Sequence, residues 1–338
     1  MYIPLHWHST YSFLEALGSP QKIVEKAKEF WLPAIAITDY NGIYCFPPFY
    51  LAAKGVSDEN YTLKAVIGVE LGLVEDMNNF QFLKYIGNIC LIAMTDEGYT
   101  NLREIITIAN EEGLPRKPKI DFSILEKYHE GLVVFYGGIE SWCYAMTLNG
   151  ETYEKIKTIH EKIQSIFGEN CYLEMTAQDE NGIGEYKKIN NIITTLAKET
   201  QTKCIVNNNY FFPEAWLRET REIALSIKDG TKLFEQHRNP QGKFYIMQEQ
   251  EIREICEKNG YTPEEIQERI TNNETIATNA NVKIDFGQAL FPVYETPEHV
   301  QKLFDAHADK MIITDEQEQT KPLPQEEIEV INKHMPKE

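Results

Sequence analysis

Short apolar runs alternate with amphipathic stretches through most of the chain. Residues 3–8, 33–38, 65–73, 89–94, 132–136, 171–175 and 204–206 read as strands. Segments of helical period lie between them. Ser19-Pro20 opens the first, with Ser as N-cap and Pro at the first helical position, and Ile23, Ala27 and Phe30 form its inward stripe. Leu102, Ile105, Ile106 and Ala109 mark a second, Ile156, Ile159, Ile163 and Phe167 a third, and residues 186–198 a fourth. This β-then-α rhythm predicts an α/β barrel or layered sheet with parallel strands, and functional residues at the C-terminal strand ends.

From about residue 213 the rhythm changes to helices, predicted over 214–228, 249–257 and 263–280. The last is announced by Thr262-Pro263-Glu264-Glu265, which has the form of a capping box. After residues 282–286 the chain turns polar, with one short helix predicted at 326–333 in a stretch that lacks a core of its own. The expected organisation is a barrel core over 1–212, a helical continuation over 213–290, and a linker or tail over 291–338.

Composition narrows the function classes. The 338 residues carry 52 acidic against 33 basic side chains, a formal net charge of −19, so a broad basic grip on a phosphate backbone is not expected, while a local basic groove stays open. The hydrophobic fraction of 42% supports a sizeable core. No run approaches membrane-spanning length, and none of the six cysteines forms a Cys-x-x-Cys pair. The expectation is a cytoplasmic protein with reduced, buried thiols and no membrane partner.

Candidate chemistry begins at Leu5-His6-Trp7-His8. Two His two apart on a strand share a face and can hold a metal ion at the mouth of a sheet or barrel. Read without partners, they are a pair hydrogen-bonded inside that mouth. Glu70 is a ligand or a carboxylate paired with a neighbouring His. Asp39, before Asn41-Gly42, is expected to cap its turn. His129, His160, His237, His299, His307 and His334 are expected to be solvated. The aromatic clusters at residues 46–50 and 210–212 lack interleaved Lys or Arg and are expected to be packing.

Several stretches, taken together, resemble a known family. They are Leu5-His6-Trp7-His8-Ser9-Thr10-Tyr11-Ser12, Ala36-Ile37-Thr38-Asp39-Tyr40-Asn41-Gly42, Ile67-Gly68-Val69-Glu70, Asp96-Glu97-Gly98-Tyr99-Thr100-Asn101-Leu102, Glu130-Gly131-Leu132-Val133-Val134 and Ile284-Asp285-Phe286-Gly287. In this order they are similar to the PHP (polymerase and histidinol phosphatase) domain at the N-terminus of bacterial DNA polymerase III alpha subunits. The resemblance covers roughly residues 1–295 and reaches weakly to about 308. It implies a distorted, TIM-like, seven-stranded β/α barrel whose mouth, in active members, holds up to three metal ions that activate water and clamp a phosphate.

The resemblance also implies which residues should be ligands, and this sequence keeps few of them. His6, His8 and Glu70 match, and Glu15 stands where an Asp or His is usual. Tyr40, Asn88, Gly138, Asn209 and Phe211 replace the rest. The second metal position retains only Glu70 and the third only Glu15; the first retains His6, His8 and Glu70, enough for one zinc or manganese ion. No cofactor is expected beyond that single divalent ion. The implied role is a catalytically degenerate module of DNA replication, structural or docking in nature. Its partners would be other polymerase III or replisome subunits, a proofreading exonuclease among them, and it would meet DNA only through the full assembly. The alternative is a residual metal-dependent phosphoesterase or 3′-5′ exonuclease. No polymerase palm segment occurs in the sequence, so a fragment, a split gene product and a stand-alone protein all remain open.

Overall fold

A computed structural model describes residues 1–78, 87–113, 117–178, 184–232, 242–284 and 302. Residues Met1–Ile284 form one compact unit, and Asp285–Glu338 a second. The helix predicted at 326–333, His237, His299, His307 and His334 lie outside the described residues.

The first unit is built on a curled seven-stranded sheet. Its strands are β1 (Ala34–Ile37), β2 (Lys64–Leu73), β3 (Gly87–Ala93), β4 (Lys119–Ile120), β5 (Leu132–Gly137), β6 (Cys171–Thr176) and β7 (Lys203–Asn207), in the order β1-β2-β3-β5-β6-β7 with β4 beside β2. The helices are α1 (Pro20–Glu29), α2 (Phe46–Val56), α3 (Asp96–Glu111), α4 (Phe122–Tyr128), α5 (Trp142–Leu148), α6 (Tyr153–Phe167), α7 (Gly184–Thr200), α8 (Arg218–Asp229), α9 (Glu249–Lys258) and α10 (Pro263–Asn279). Ser19 caps α1 through Lys22 N, and Thr262 and Glu265 close the expected capping box on α10. The helix predicted from 214 starts four residues later, behind a 3₁₀ turn at Ala215–Leu217.

The sheet is not all parallel. β3 runs antiparallel to both β2 and β5. This matters for the site, because an antiparallel strand brings its first residues to the mouth where its neighbours end. Asn88, second in β3, pairs in register with Gly72 near the end of β2.

Residues 3–8 are extended, as expected, but form no ladder strand beyond an isolated bridge between Trp7 and Tyr210. They join the two ends of the sheet instead. Ala36 N and Thr38 N donate to Pro4 O and Trp7 O on the β1 side; Tyr210 N donates to His6 O and His8 N to Tyr210 O on the other. The gap to β7 is filled by a side chain. Asn273 of α10, fully buried, accepts from Val206 N at 3.0 Å and donates to Ile3 O at 3.0 Å and Val206 O at 2.8 Å. One amide thus meets backbone groups that a ladder would otherwise have satisfied.

The Asp96-Glu97-Gly98-Tyr99 stretch has a packing reason. Gly98, in the first turn of α3, lies against the Gly131 carbonyl, and a Cβ built on Gly98 would stand 1.9 Å from that oxygen. Backbone on both sides leaves nothing soft to move. Gly98→Ala is expected to lower stability by about 2 kcal/mol, and a urea melt of the variant against the parent chain measures it.

All six cysteines are free, five of them buried. His160 overturns its expectation: it is fully buried on the apolar face of α6 beside Ile156 and Ile163. It is satisfied there by Tyr136 Oη at Nδ1 and by Thr202 Oγ1 at 2.8 Å from Nε2. His129, expected to be solvated, is half-buried at the C-cap of α4, with Nδ1 3.0 Å from Glu126 O and its ring edge-on to Phe167. Phe46 and Phe49 are core, as are Tyr210 and Phe212.

Candidate metal centre

The N-terminal segment carries His6 and His8 to the mouth, where Glu70 arrives from the middle of β2. All three are buried, and their ligand atoms lie within 4.8 Å of one another. Glu70 is the hub. Its Oε2 is 2.9 Å from His6 Nε2 and 3.0 Å from His8 Nε2, while Oε1 accepts from Asn88 Nδ2 at 2.7 Å. Burial favours the neutral acid, yet the two imidazoles overcome it and hold the Glu70 carboxyl well below the usual range.

His6 has a second acid that the sequence reading missed. Glu174, in the middle of β6 and buried, stands 2.9 Å from His6 Nδ1. Its signal was a lone acid inside the apolar run Cys171–Thr176, a position that requires a buried partner. With a carboxylate at each ring nitrogen, His6 is held as the imidazolium when no ion is bound. Burial works against that proton, but the Cys90 sulfur, Glu174 and Glu70 together push the His6 pKa well above its ordinary value.

The replaced positions are gathered over this cluster. Tyr40 stacks on His8 at 4.2 Å and Phe211 at 4.9 Å, both nearly parallel to it. Asn209 Oδ1 lies 2.9 Å from His8 Nε2. Asn88 Oδ1 accepts from Lys117 Nζ at 2.9 Å, which fixes the amide with its N–H toward Glu70. The position that the resemblance assigns to a second metal thus holds an amide donor backed by an ammonium. Glu15, expected as a third-position ligand, is not part of the cluster. Its carboxylate pairs with Lys228 of α8, so a side-chain cation meets it where an ion was expected.

Gly138 stands apart from the others. Its φ is +74°, and a Cβ there would meet Thr176 Oγ1 at 2.8 Å, so any ligating side chain at this position would be strained as well as crowded. Its neighbour Glu140 supplies the polar group at this wall, accepting from the Tyr40 hydroxyl. Burial, then the Glu140 charge, push the Tyr40 phenol well above its ordinary pKa. Asp39 differs from expectation too. Rather than capping its own turn, it accepts from Ser9 N at 2.7 Å, Ser9 Oγ at 2.6 Å and Ser12 Oγ at 2.6 Å, and so ties down the loop after the His pair.

Above the cluster opens a cavity of about 820 Å³. Tyr40, Asn88, Asn209, Phe211 and Glu15 all line it, with Lys117, Glu140, Arg221 and Lys228. His6, His8 and Glu70 lie beneath that floor.

One ion fits the donor set. His6 Nε2 to Glu70 Oε2, His8 Nε2 to Glu70 Oε2 and His8 Nε2 to Asn209 Oδ1 span 2.9, 3.0 and 2.9 Å. A tetrahedral zinc with bonds of about 2.0 Å has edges of roughly 3.3 Å, so small outward shifts would admit it. Glu174 would then hold His6 by Nδ1–H, the usual outer partner of a metal-bound imidazole. A second ion finds Glu70 Oε1 already committed to Asn88.

Relatives agree with this architecture at the level of sequence. DNA polymerase III subunit alpha of Buchnera aphidicola is 28% identical over 87% of this chain and 24% of its own length. That of Aquifex aeolicus is 29% identical over 67% and 20%. The chain thus spans about a quarter of these relatives. Among solved structures, an amidohydrolase from Chromobacterium violaceum matches 63% of this chain and 88% of that one, at 11% identity and a TM-score of 0.41. The PHP domain family matches residues 4–178, over the His pair, Glu70 and every strand through β6, and the chain belongs to that family.

Proposed function

We propose that this chain is a PHP domain of a cytoplasmic DNA polymerase III alpha-type assembly, acting as a structural and docking module with a degenerate metal centre. The observation that carries this reading is what occupies the lost ligand positions. Asn88 and Lys117 fill the second, Lys228 meets Glu15 at the third, and Tyr40 and Phe211 clamp His8. In this reading the donors for a second ion are taken, which argues against two-ion hydrolysis. The partners supported by the polymerase III relatives are other replisome subunits, with a proofreading exonuclease as one candidate for docking, and DNA is met through that assembly.

His6, His8, Glu70 and Asn209 would hold a single zinc or manganese ion. Bound there, it would supply Lewis acidity and a more acidic water. Beneath it Glu174 orients His6, Ser12 faces His8 Nδ1 at 3.4 Å, and the Tyr40 and Phe211 rings exclude water from both faces of His8.

The intact cluster and the cavity above it favour one second reading, a residual one-ion phosphoesterase or 3′-5′ exonuclease. A 3′-labelled single strand incubated with the purified chain and zinc or manganese decides between the two. The structural reading expects no release above a chelated control. Release that disappears in His8→Ala would sink it. Ion binding is measured separately: Asn209→Asp restores a charged ligand and is expected to tighten zinc by at least about tenfold, the scale that even outer partners of a metal site command.

A further inference from the structure

A second cavity, of about 290 Å³, lies between α7, α10 and the start of β7. Lys203 and Cys204 of its lining open that strand, whereas Asn209 at the metal centre follows its close, so the two sites sit at opposite ends of β7. They share no lining residue. Helix α10 delivers Arg269 to the second cavity. Arg269 is 6% exposed, and its guanidinium carbon stands 4.5 Å from the Tyr261 ring centroid. Nη1 is buried without a hydrogen-bond partner. Among the described residues the Cys204 sulfur, a weak acceptor, is the one group that accepts from this guanidinium, and no carboxylate pairs with it.

The acids nearby are engaged elsewhere or face water. Glu265 accepts from Thr262 N in the capping box of α10 and lies 4.0 Å from Lys198. Glu169 takes Lys203 at 2.5 Å, and Glu268 is exposed. A buried guanidinium that meets neither a carboxylate nor a carbonyl is costly, and an oxyanion on its fork offsets that cost. The described lining carries three bases, Lys198, Lys203 and Arg269, against two acids, Glu265 and Glu268. In a chain of net charge −19 a surplus of one positive charge is a local departure. It fits a singly charged anion, and the two acids act against a dianion. The planar fork matches a carboxylate, and the volume admits only a small ligand.

We propose that Arg269 anchors a binding site for a small monocarboxylate between α7 and α10, separate from the metal centre. It rests neither on an ion at His6, His8 and Glu70 nor on a role in replication. The guanidinium fork donates to the two carboxylate oxygens, and the Tyr261 ring holds it flat from one side. Asn273 lies one turn further along α10, so a bound carboxylate steadies the helix that joins Ile3 to Val206.

The test is titration of the full, isotope-labelled chain with sodium acetate at constant ionic strength, followed through backbone amide shifts. Saturable shifts are expected at Lys203, Cys204 and Arg269, with affinity weakened at least tenfold in Arg269→Gln and unchanged in Lys22→Gln, an exposed control. Absence of saturable shifts at those three amides overturns the proposal, as does equal affinity in Arg269→Gln. Shifts confined to Tyr11, Asn88 and Asn209 would put the acetate at the metal centre and overturn it too. Inorganic phosphate binding more tightly than acetate at the same three amides overturns the ligand class. Should Arg269→Gln show no melting transition, Arg269→Lys decides: it keeps the charge but loses the fork, and unchanged affinity overturns the proposal.

Discussion

Glu70→Gln is expected to cost the fold about 3–5 kcal/mol, the scale for breaking a buried ion cluster by removing one partner. The carboxylate accepts from His6, His8 and Asn88 at once, at 2.9, 3.0 and 2.7 Å, and is 2% exposed. A carboxamide keeps the shape but must turn an N–H toward one of three donors, and it leaves the His6 imidazolium with Glu174 alone. The sign of the pH dependence follows from Glu70 being held below the usual carboxylate range. Its contribution is complete above the unfolded value near 4.5 and is lost only as pH falls through the lower folded value. Urea denaturation at neutral pH measures the cost. A midpoint shift worth less than about 1 kcal/mol, the scale of an ordinary single hydrogen bond, would show that Glu70 is not the hub.

Acidification should remove about 3 kcal/mol through His160 alone. Burial pushes its pKa down to about 4 from an ordinary value near 6.5. The geometry agrees, since Tyr136 Oη faces Nδ1 and Thr202 Oγ1 faces Nε2, an arrangement a neutral ring satisfies with one donor and one acceptor. Because the folded value is the lower one, the unfolded chain takes up the proton first. Stability therefore falls as pH drops from about 6.5 to about 4 and then levels. His6 is shifted the other way, so its contribution is full below about 6.5 and is lost as pH rises. The two windows do not overlap. Urea midpoints at pH 7 and pH 4.5 for the parent chain and His160→Gln make the comparison. The variant should start less stable and lose the acid-side slope between 6.5 and 4; an unchanged slope would assign the acid sensitivity elsewhere.

What could be read from sequence divides by how local the signal is. His6 and His8 are two apart on an extended segment, and Glu70 is an acid in an apolar run, so their shared direction and burial follow from pattern alone. Glu174 carries the same signal as Glu70, but the resemblance attaches no ligand role to it. Arg221 and Lys228 were not legible, because a charge on an amphipathic helix reads as solvated until the packing of that helix is known. His160 follows position rather than residue type: the periodicity that puts Ile156 and Ile163 inside puts His160 there too. The antiparallel β3 was missed because the β/α rhythm suggested crossovers throughout, while the 74–86 connection carries no helical pattern to supply one. Lys117 reaches Asn88 across 29 positions, a pairing that only the closed mouth creates.

Asn273 sets an order on the folding of this unit. It joins Ile3 to Val206 from a helix made after every strand, so a chain emerging from the ribosome displays all seven strands before the group that seals them exists. Through that interval the 3–8 segment holds β7 only through Leu5 N on Asn207 Oδ1, and β7 presents a largely raw edge of the kind that recruits other strands. A chain ended between α9 and α10 would keep every strand and every candidate ligand, yet its yield of soluble protein should collapse. The late helix thus acts on productive synthesis, and closure at such long sequence separation makes slow folding the expected kinetics.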